Sequence, residues 1–137
     1  MQTFLPKQSY VESMACLDNV RLGNQVYREG KTLLDGKWPN HPACKMWVGH
    51  EHSLAMYCYR GAQEMRRRYY WKPEVVERWL DYFQVRMDNL SDTGRPSWMG
   101  REDIHASHRS NLLRKDALYY SKFGWDEPDN LPYVWPI

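Results

Sequence analysis

The chain of 137 residues is 42% hydrophobic and 26% charged, and its formal net charge is +2. A chain of this length builds one hydrophobic core, and so small a net charge neither demands nor excludes a nucleic-acid partner. The three cysteines, Cys16, Cys44 and Cys58, are an odd number and form no C-x-x-C pair. This spacing argues against a disulfide framework and a structural zinc site, so we expect buried free thiols.

The first residues, MQTFLPKQSY, contain neither a basic leader nor an apolar stretch as long as that of a signal peptide. The uninterrupted apolar runs elsewhere are only a few residues long, which is too short for a membrane span. We therefore expect a cytoplasmic protein without a membrane partner.

Helical periodicity dominates the chain and strand alternation is scarce. We predict an all-α fold: a compact single domain, residues 1–137, of three to four helices with long loops rich in Pro, Gly and Trp. The first helix is expected from about residue 17 to 35, where Gly36 and the following prolines stop the pattern. At about 100° per residue, one face is an apolar arc and the other a hydrogen-bonding stripe. The arc holds Val20, Leu22, Val26, Tyr27, Leu33 and Leu34; the stripe holds Arg21, Asn24, Gln25, Arg28 and Thr32.

Two further helices are predicted over residues 43–70 and 73–90. The arc of the earlier one includes Trp47 and Leu54, and the same periodicity puts Glu51 in it. An unpaired carboxylate is costly in apolar surroundings and its pKa would rise, so Glu51 is a candidate catalytic group; a buried ion pair is the alternative. The later helix carries only core positions.

The fourth helix lies in the segment IHASHRSNLLRKDALYY and can begin at Asp103 or Ser107. Arg109 points into its apolar arc. Because arginine cannot lose its charge, this side chain must meet an anion there.

Two features of this region have competing explanations. His105 and His108 form an H-x-x-H pair, but no H-E-x-x-H context or carboxylate triad accompanies them, so no metal site is predicted. The following YYSKFGW interleaves aromatic side chains with Lys122, which is typical of base-stacking surfaces and equally of core packing.

Five segments carry a resemblance to a known family: MQTFLP, LDNVRLGNQ, NHPACKMWVG, HASHRSNLLRKDALYY and LPYVWPI. They resemble the phage and bacterial proteins grouped as pyrimidine-dimer DNA glycosylases of the endonuclease V type. The likeness spans nearly the whole chain. It implies a compact all-α enzyme that kinks double-stranded DNA, flips a nucleotide and attacks the anomeric carbon of the sugar with an N-terminal α-amine. The Schiff base then permits strand cleavage, without a metal or other cofactor.

The resemblance also implies the nucleophile. An α-amine suits this chemistry because its pKa of about 8 leaves much of it neutral at cellular pH. In the family a small residue follows the initiator methionine and allows its removal. Gln2 should hinder that removal here, so the nucleophile would be the amine of Met1.

Other residues are assigned by the same comparison. Arg21 falls where the first helix of the family supplies a phosphate-contacting arginine, and Gln25 lies one turn further on. The essential glutamate of the family falls at Leu22 in this chain, so Glu51 or Glu29 must take its role. The expected DNA-binding residues are Arg28, Lys45, His108, Arg109, Asn111, Arg114, Lys115, Tyr119 and Lys122.

Three functions remain open on these grounds. The first is a glycosylase with abasic-site lyase activity, acting on a damaged or modified pyrimidine. The second is a DNA-binding or lesion-recognition protein without catalysis, and the third is an enzyme of free nucleotide-like substrates. A monomer that binds double-stranded DNA is expected.

Overall fold

The computed structural model describes residues 2–136, and this part of the chain contains helices and no β-strand. The prediction of an all-α fold is confirmed, but three to four helices is too few. The helices are α1 Tyr10–Cys16, α2 Asn19–Gly23, a π-helix Asn24–Gly30, α3 Lys31–Leu34, α4 Pro42–Lys45, α5 Glu51–Arg67, α6 Pro73–Asp88, α7 Glu102–Lys115, α8 Ala117–Tyr120 and a 3-10 turn Ser121–Phe123.

Helix α1 was not predicted, although the sequence contains its start signal. The Ser9 side chain accepts a hydrogen bond from Glu12 N at 3.2 Å. Serine followed three residues later by glutamate is the sequence pattern of a capping box, and this pair begins the helix.

A break divides the helix predicted over residues 43–70 into α4 and α5. Gly49 lies in the break with a φ of 82°, a backbone conformation that glycine adopts readily and other residues rarely adopt. Glu51 is consequently the first residue of α5, and its Oε1 accepts from Gly49 N at 3.2 Å on an exposed surface. The expectation that Glu51 lies in an apolar arc is wrong because the helical phase does not run through this break.

Helix α2, the π-helix and α3 follow one another without interruption, so residues 19–34 form one helix with a π-helical middle. Gln25, predicted on the outer stripe, is only 2% exposed, whereas Val20 and Tyr27, predicted in the core, are 64% and 49% exposed. In a π-helix the hydrogen bonds run from i to i+5, so each residue turns through a smaller angle than in an α-helix. The change of phase turns Gln25 inward and Tyr27 outward.

Helix α5 lies at the centre and packs against α1, α6 and the 19–34 helix. Two glycines allow these helices to approach closely. A Cβ on Gly61 would lie 2.6 Å from Val26 Cγ2, and a Cβ on Gly30 would overlap Cys58 Sγ. At both glycines a neighbouring side chain thus occupies the space that a Cβ would need.

The three cysteines are free; Cys16 and Cys58 are buried and Cys44 is partly buried. Among residues 2–136, no helix combines the length and apolar character needed to cross a membrane.

Candidate active site

Residues 2–6 form a buried segment without regular secondary structure, and side chains from the helices bind its backbone. Phe4 N donates to Gln25 Oε1 at 2.9 Å, and Phe4 O accepts from the Tyr57 hydroxyl at 2.8 Å. Trp47 Nε1 donates to Thr3 Oγ1 at 3.1 Å. Because buried backbone groups outside helices and strands must find other partners, these bonds determine the path of the first residues.

Two histidines of α7 hold the next residue of the segment. Leu5 N donates to His108 Nδ1 at 2.8 Å, and His105 Nδ1 lies 2.8 Å from Leu5 O. His105 Nε2 accepts from Gly100 N, so its proton is on Nδ1 and is donated to Leu5 O. The H-x-x-H spacing therefore places both rings on one face of α7, where they bind the N–H and the C=O of Leu5. Within residues 2–136, no group of three or more His, Cys, Asp or Glu side chains could hold a metal ion.

Both histidines are neutral in this arrangement. Burial, with a further effect from His105 and Arg109, lowers the pKa of His108 to about 3. Burial also lowers the pKa of His105. At cellular pH neither ring carries a charge, and each can act as donor at one nitrogen and acceptor at the other.

Arg109 binds the backbone of the next residue of the segment, Pro6. Its Nη1 donates to Pro6 O at 2.8 Å, its Nε donates to Glu127 Oε1 at 2.8 Å, and its Nη2 pairs with Glu102. The expectation that Arg109 meets an anion is confirmed, but the anions are carboxylates of the chain itself. Its role is structural in this arrangement, because its donors are already occupied.

The DNA contacts expected of His108, Arg109 and Asn111 are not supported by their positions. His108 and Asn111 are completely buried. Asn111 Nδ2 donates to Ser107 O at 2.7 Å and to Leu131 O at 3.1 Å. These predictions are wrong because this face of α7 is covered by the N-terminal segment and by residues near the C-terminus.

A cavity of 270 Å³ opens beside the N-terminal segment. It is lined by Gln2, Phe4, Val20, Arg21, Asn24, Gln25, Glu29, Lys115 and Tyr133. Two of these side chains have a buried polar atom with no hydrogen-bond partner among residues 2–136: Gln2 Nε2 and Glu29 Oε2. An unsatisfied buried polar group costs about 1–3 kcal/mol. A donor and an acceptor without protein partners in one cavity wall can be satisfied by ordered water or by a ligand.

The cavity brings opposite charges together. Arg21 and Lys115 provide positive charge, and Glu29 provides a carboxylate. Arg21 Nη1 lies 3.2 Å from Asp18 Oδ1, which leaves other guanidinium donors for a ligand. Burial raises the pKa of Tyr133, so this wall residue remains a neutral phenol at cellular pH. The arrangement suits an anionic ligand that also presents a group to a carboxylate.

The family model described as pyrimidine dimer DNA glycosylase matches residues 1–78, more than half of the chain. The chain belongs to the pyrimidine dimer DNA glycosylase family. No curated protein and no solved structure matches it. The region matched to the glycosylase family contains the N-terminal segment, the 19–34 helix and α5. The histidines of α7 that grip Leu5 lie outside that region.

The residues predicted to be catalytic fall into three groups according to their position in the structure. Gln2, Arg21 and Gln25 line one cavity. Met1 lies outside the described residues. Glu51 lines a different cavity, formed by residues that include Leu33 and Trp47, so it does not join this group. Glu29, the alternative carboxylate, is the acid in the cavity with Gln2.

The remaining cationic residues lie at the surface. Arg28 is exposed on the π-helix, Lys45 at the end of α4, and Arg114 and Lys115 at the end of α7. Of these, Lys115 also lines the cavity. Their contacts with DNA stay predictions.

The aromatic segment after α7 is mainly a packed cluster. Tyr119 is partly buried, and Lys122 Nζ lies 3.8 Å from the centre of its ring. Tyr120 is fully buried, stacks on Trp125 and bonds to Asp18. Core packing thus accounts for much of this segment, while the exposed Lys122 remains available.

Sequence reasoning missed the residues that hold the N-terminal segment: Tyr57 and His105 bind its backbone, and Trp47 binds the Thr3 side chain. Leu5 and His108 are separated by 103 positions. A pattern of neighbouring residues cannot predict a contact between a side chain and a backbone group that are so far apart in the sequence.

Proposed function

We propose that the protein is a DNA glycosylase with abasic-site lyase activity, which acts on a damaged or modified pyrimidine flipped from duplex DNA. The α-amine of the first residue is the nucleophile. One observation carries the proposal: the buried N-terminal segment leads to Gln2 in the wall of a cavity that contains the unpartnered carboxylate of Glu29. Gln2 is the first described residue of the chain, and its position in the cavity wall supports this choice of nucleophile.

The grip on residues 3–6 supports this role. A nucleophile on a flexible chain end would lose much conformational freedom in the transition state, whereas a segment already held by side chains loses less. The bonds from Gln25, Tyr57 and His108 to the backbone provide this restraint. They hold the chain directly after Gln2, which lies in the cavity wall.

The reaction assigns roles to the three charged groups of the wall, Glu29, Arg21 and Lys115. The amine nitrogen attacks C1′ of the flipped nucleotide; the C1′–base bond breaks, and its electrons leave with the base, which takes up a proton. The nitrogen loses a proton to Glu29, and opening of the sugar gives the imine. Loss of a proton from C2′ then breaks the C3′–oxygen bond, whose electrons leave with the phosphate. Arg21 and Lys115 hold the neighbouring phosphates.

The test compares two carboxylates that the fold separates. Glu29→Gln removes the charge but keeps the shape, and we expect borohydride trapping on abasic and ultraviolet-irradiated duplexes to fall about a hundredfold or more. Glu51→Gln is the matched control and should trap as the wild type does. Mass spectrometry should find the DNA on the first residue, and an N-terminal extension should abolish trapping.

Opposite outcomes separate the alternatives. Full activity of Glu29→Gln with loss in Glu51→Gln would refute the assignment of the cavity. Trapping at Lys45 or Lys115 would keep the reaction and move the nucleophile. Duplex binding without trapping, with the native N-terminus verified, would favour a binding protein without catalysis, and indifference to DNA would favour a free nucleotide-like substrate.

A further inference from the structure

Two aromatic side chains project from the connection between α5 and α6. Tyr69 is 91% exposed and Trp71 is 57% exposed. Both have a left-handed backbone, with φ of 55° and 72°, although neither is glycine. Bulky residues rarely adopt this conformation, and strained backbone of this kind is concentrated at functional sites. The connection thus holds two large apolar surfaces in solvent at a conformational cost.

Arg68 anchors the connection to the body of the protein. Its Nη1 donates to Leu17 O at 2.7 Å, its Nη2 to Met14 O at 3.1 Å, and its Nε to Glu64 Oε2 at 2.7 Å. Bidentate and charge-assisted contacts of this kind hold a guanidinium in one orientation. The exposed aromatic residues therefore follow a firmly attached residue.

The exposed pair is connected to the candidate active site through other aromatic rings. The centres of the Trp71 and Tyr70 rings are 6.2 Å apart. A Cβ on Gly23 would lie 3.5 Å from Tyr70 Cε2 and 3.1 Å from Tyr27 Cε1, so these two rings meet at the 19–34 helix.

Tyr27 is bonded to a residue of the cavity wall. The hydroxyl of Tyr27 donates to Asn24 Oδ1 at 3.2 Å, and Asn24 lines the cavity with Glu29. Asn24 of the cavity wall is thus bonded to Tyr27, and Tyr27 and Tyr70 both lie beside Gly23, with Trp71 next to Tyr70.

The surroundings of the exposed pair carry charges of both signs, because Arg66 pairs with Glu77 and Arg67 with Glu64, while Lys72 adds a further positive charge. Arg66, Arg67 and Lys72 lie beside it in the chain and are exposed. A second cavity, of 150 Å³, lies between Tyr69 and Trp71, over an apolar floor that includes Val76. Exposed aromatic rings beside a positive charge suit single-stranded nucleic acid, whose bases stack while its phosphates attract the cation.

We propose that Tyr69 and Trp71 form a stacking surface for unpaired bases of the DNA strand that leaves the candidate active site. The choice of DNA as the partner rests on the proposed function. Flipping a nucleotide disrupts base stacking beside it, and the two rings offer replacement stacking for the bases that are exposed.

The experiment measures binding of three DNAs by fluorescence anisotropy: a paired duplex, the same duplex with one abasic site, and the single strand. Trp71→Ala and Tyr69→Ala should each weaken binding of the abasic duplex and the single strand by about five- to a hundredfold, and that of the paired duplex less. Neither variant removes a charge, so the salt dependence of binding should stay the same. Trp71→Phe, which keeps an aromatic face, should bind nearly as the wild type does.

Trp38→Ala is the matched control, because Trp38 is 55% exposed. Trp38 follows α3, and Asp35 at the end of α3 pairs with Arg86 in the last turn of α6. Trp71, in contrast, precedes the first turn of α6. The sixteen residues of α6 separate the two tryptophans by about 24 Å. This control should leave all three affinities unchanged.

The outcomes distinguish this proposal from the proposed function. Trapping on abasic DNA with wild-type affinity in Trp71→Ala and Tyr69→Ala would overturn the stacking surface alone. Selective loss of single-strand binding in these variants would support it even where no trapping occurs. Absence of DNA binding by the wild-type protein, or equal weakening by Trp38→Ala, would overturn it.

Discussion

The grip of α7 on the N-terminal segment should make stability depend on pH through His108. An unfolded histidine has a pKa of about 6.5. Burial lowers the pKa of His108 in the folded protein to about 3. As the pH falls through this window, the unfolded chain takes up a proton that the folded protein does not, so the stability from the neutral ring is lost. At a pH of about 4.5 the loss is about 3 kcal/mol, from two pH units at about 1.4 kcal/mol each.

Urea unfolding between about pH 7 and pH 4.5 measures this effect when the wild type is compared with His108→Asn. The asparagine oxygen can still accept from Leu5 N but does not titrate, so the variant should lose less stability on acidification, by about 2–3 kcal/mol. The carboxylates titrate in both proteins, so their effect on the free energy of unfolding cancels when the variant is subtracted from the wild type. His50→Asn, which removes a histidine outside the N-terminal contacts, is the control. Parallel stability curves for the wild type and His108→Asn would refute the reasoning.

Three further predictions concern packing, charge and strain. Gly30→Ala should destabilise the protein by about 1–3 kcal/mol in urea unfolding, since the new methyl group overlaps Cys58 Sγ; unchanged stability would contradict this close approach. The pair Arg114→Ala and Lys115→Ala should flatten the slope of log affinity against log salt for duplex DNA by up to about two units, and an unchanged slope would count against phosphate contacts at the end of α7. Tyr69→Gly should raise thermal stability slightly, by about 0.5–1 kcal/mol, because relief of about 1–2 kcal/mol of left-handed strain exceeds the entropic cost of glycine; a clear loss of stability would mean that Tyr69 supports the fold.

Periodicity was sufficient where a helix is regular. Residues 73–90 were expected to form a helix, and α6 spans Pro73–Asp88, because its apolar positions repeat without interruption and Pro73 marks its start. Helix α7 begins at Glu102, close to the expected Asp103. In both cases the information lies within one helix and can be obtained from neighbouring residues.

Predictions failed where the helical phase changes. The π-helix reversed the expected environments of Gln25 and Tyr27, and the break at Gly49 moved Glu51 to the surface. A pattern that assumes constant rotation per residue cannot detect either event. Arg21 and Gln25 nevertheless fell beside the cavity, because the resemblance to the family carried information that periodicity lacks.

Long-range contacts account for the remaining errors. His108 was expected to contact DNA, and its bond to Leu5, 103 residues away, shows why it is buried instead. The histidine pair had no metal-binding context in the sequence, and its actual partner is a backbone. Such a role depends on tertiary structure, which no window of neighbouring residues contains.

The separation of Leu5 from His108 has a consequence for synthesis on the ribosome. A nascent chain that ends before α7 already contains Gln2, Arg21, Gln25 and Glu29, yet it lacks the histidines that grip the first residues. During translation Gln25, Trp47 and Tyr57 can hold residues 3 and 4 before α7 is made, whereas the bonds to Leu5 and Pro6 must wait for α7. Lys115 and Tyr133 of the cavity wall also follow late in the sequence, so products truncated before α7 would contain Gln2, Arg21 and Glu29 without the complete cavity.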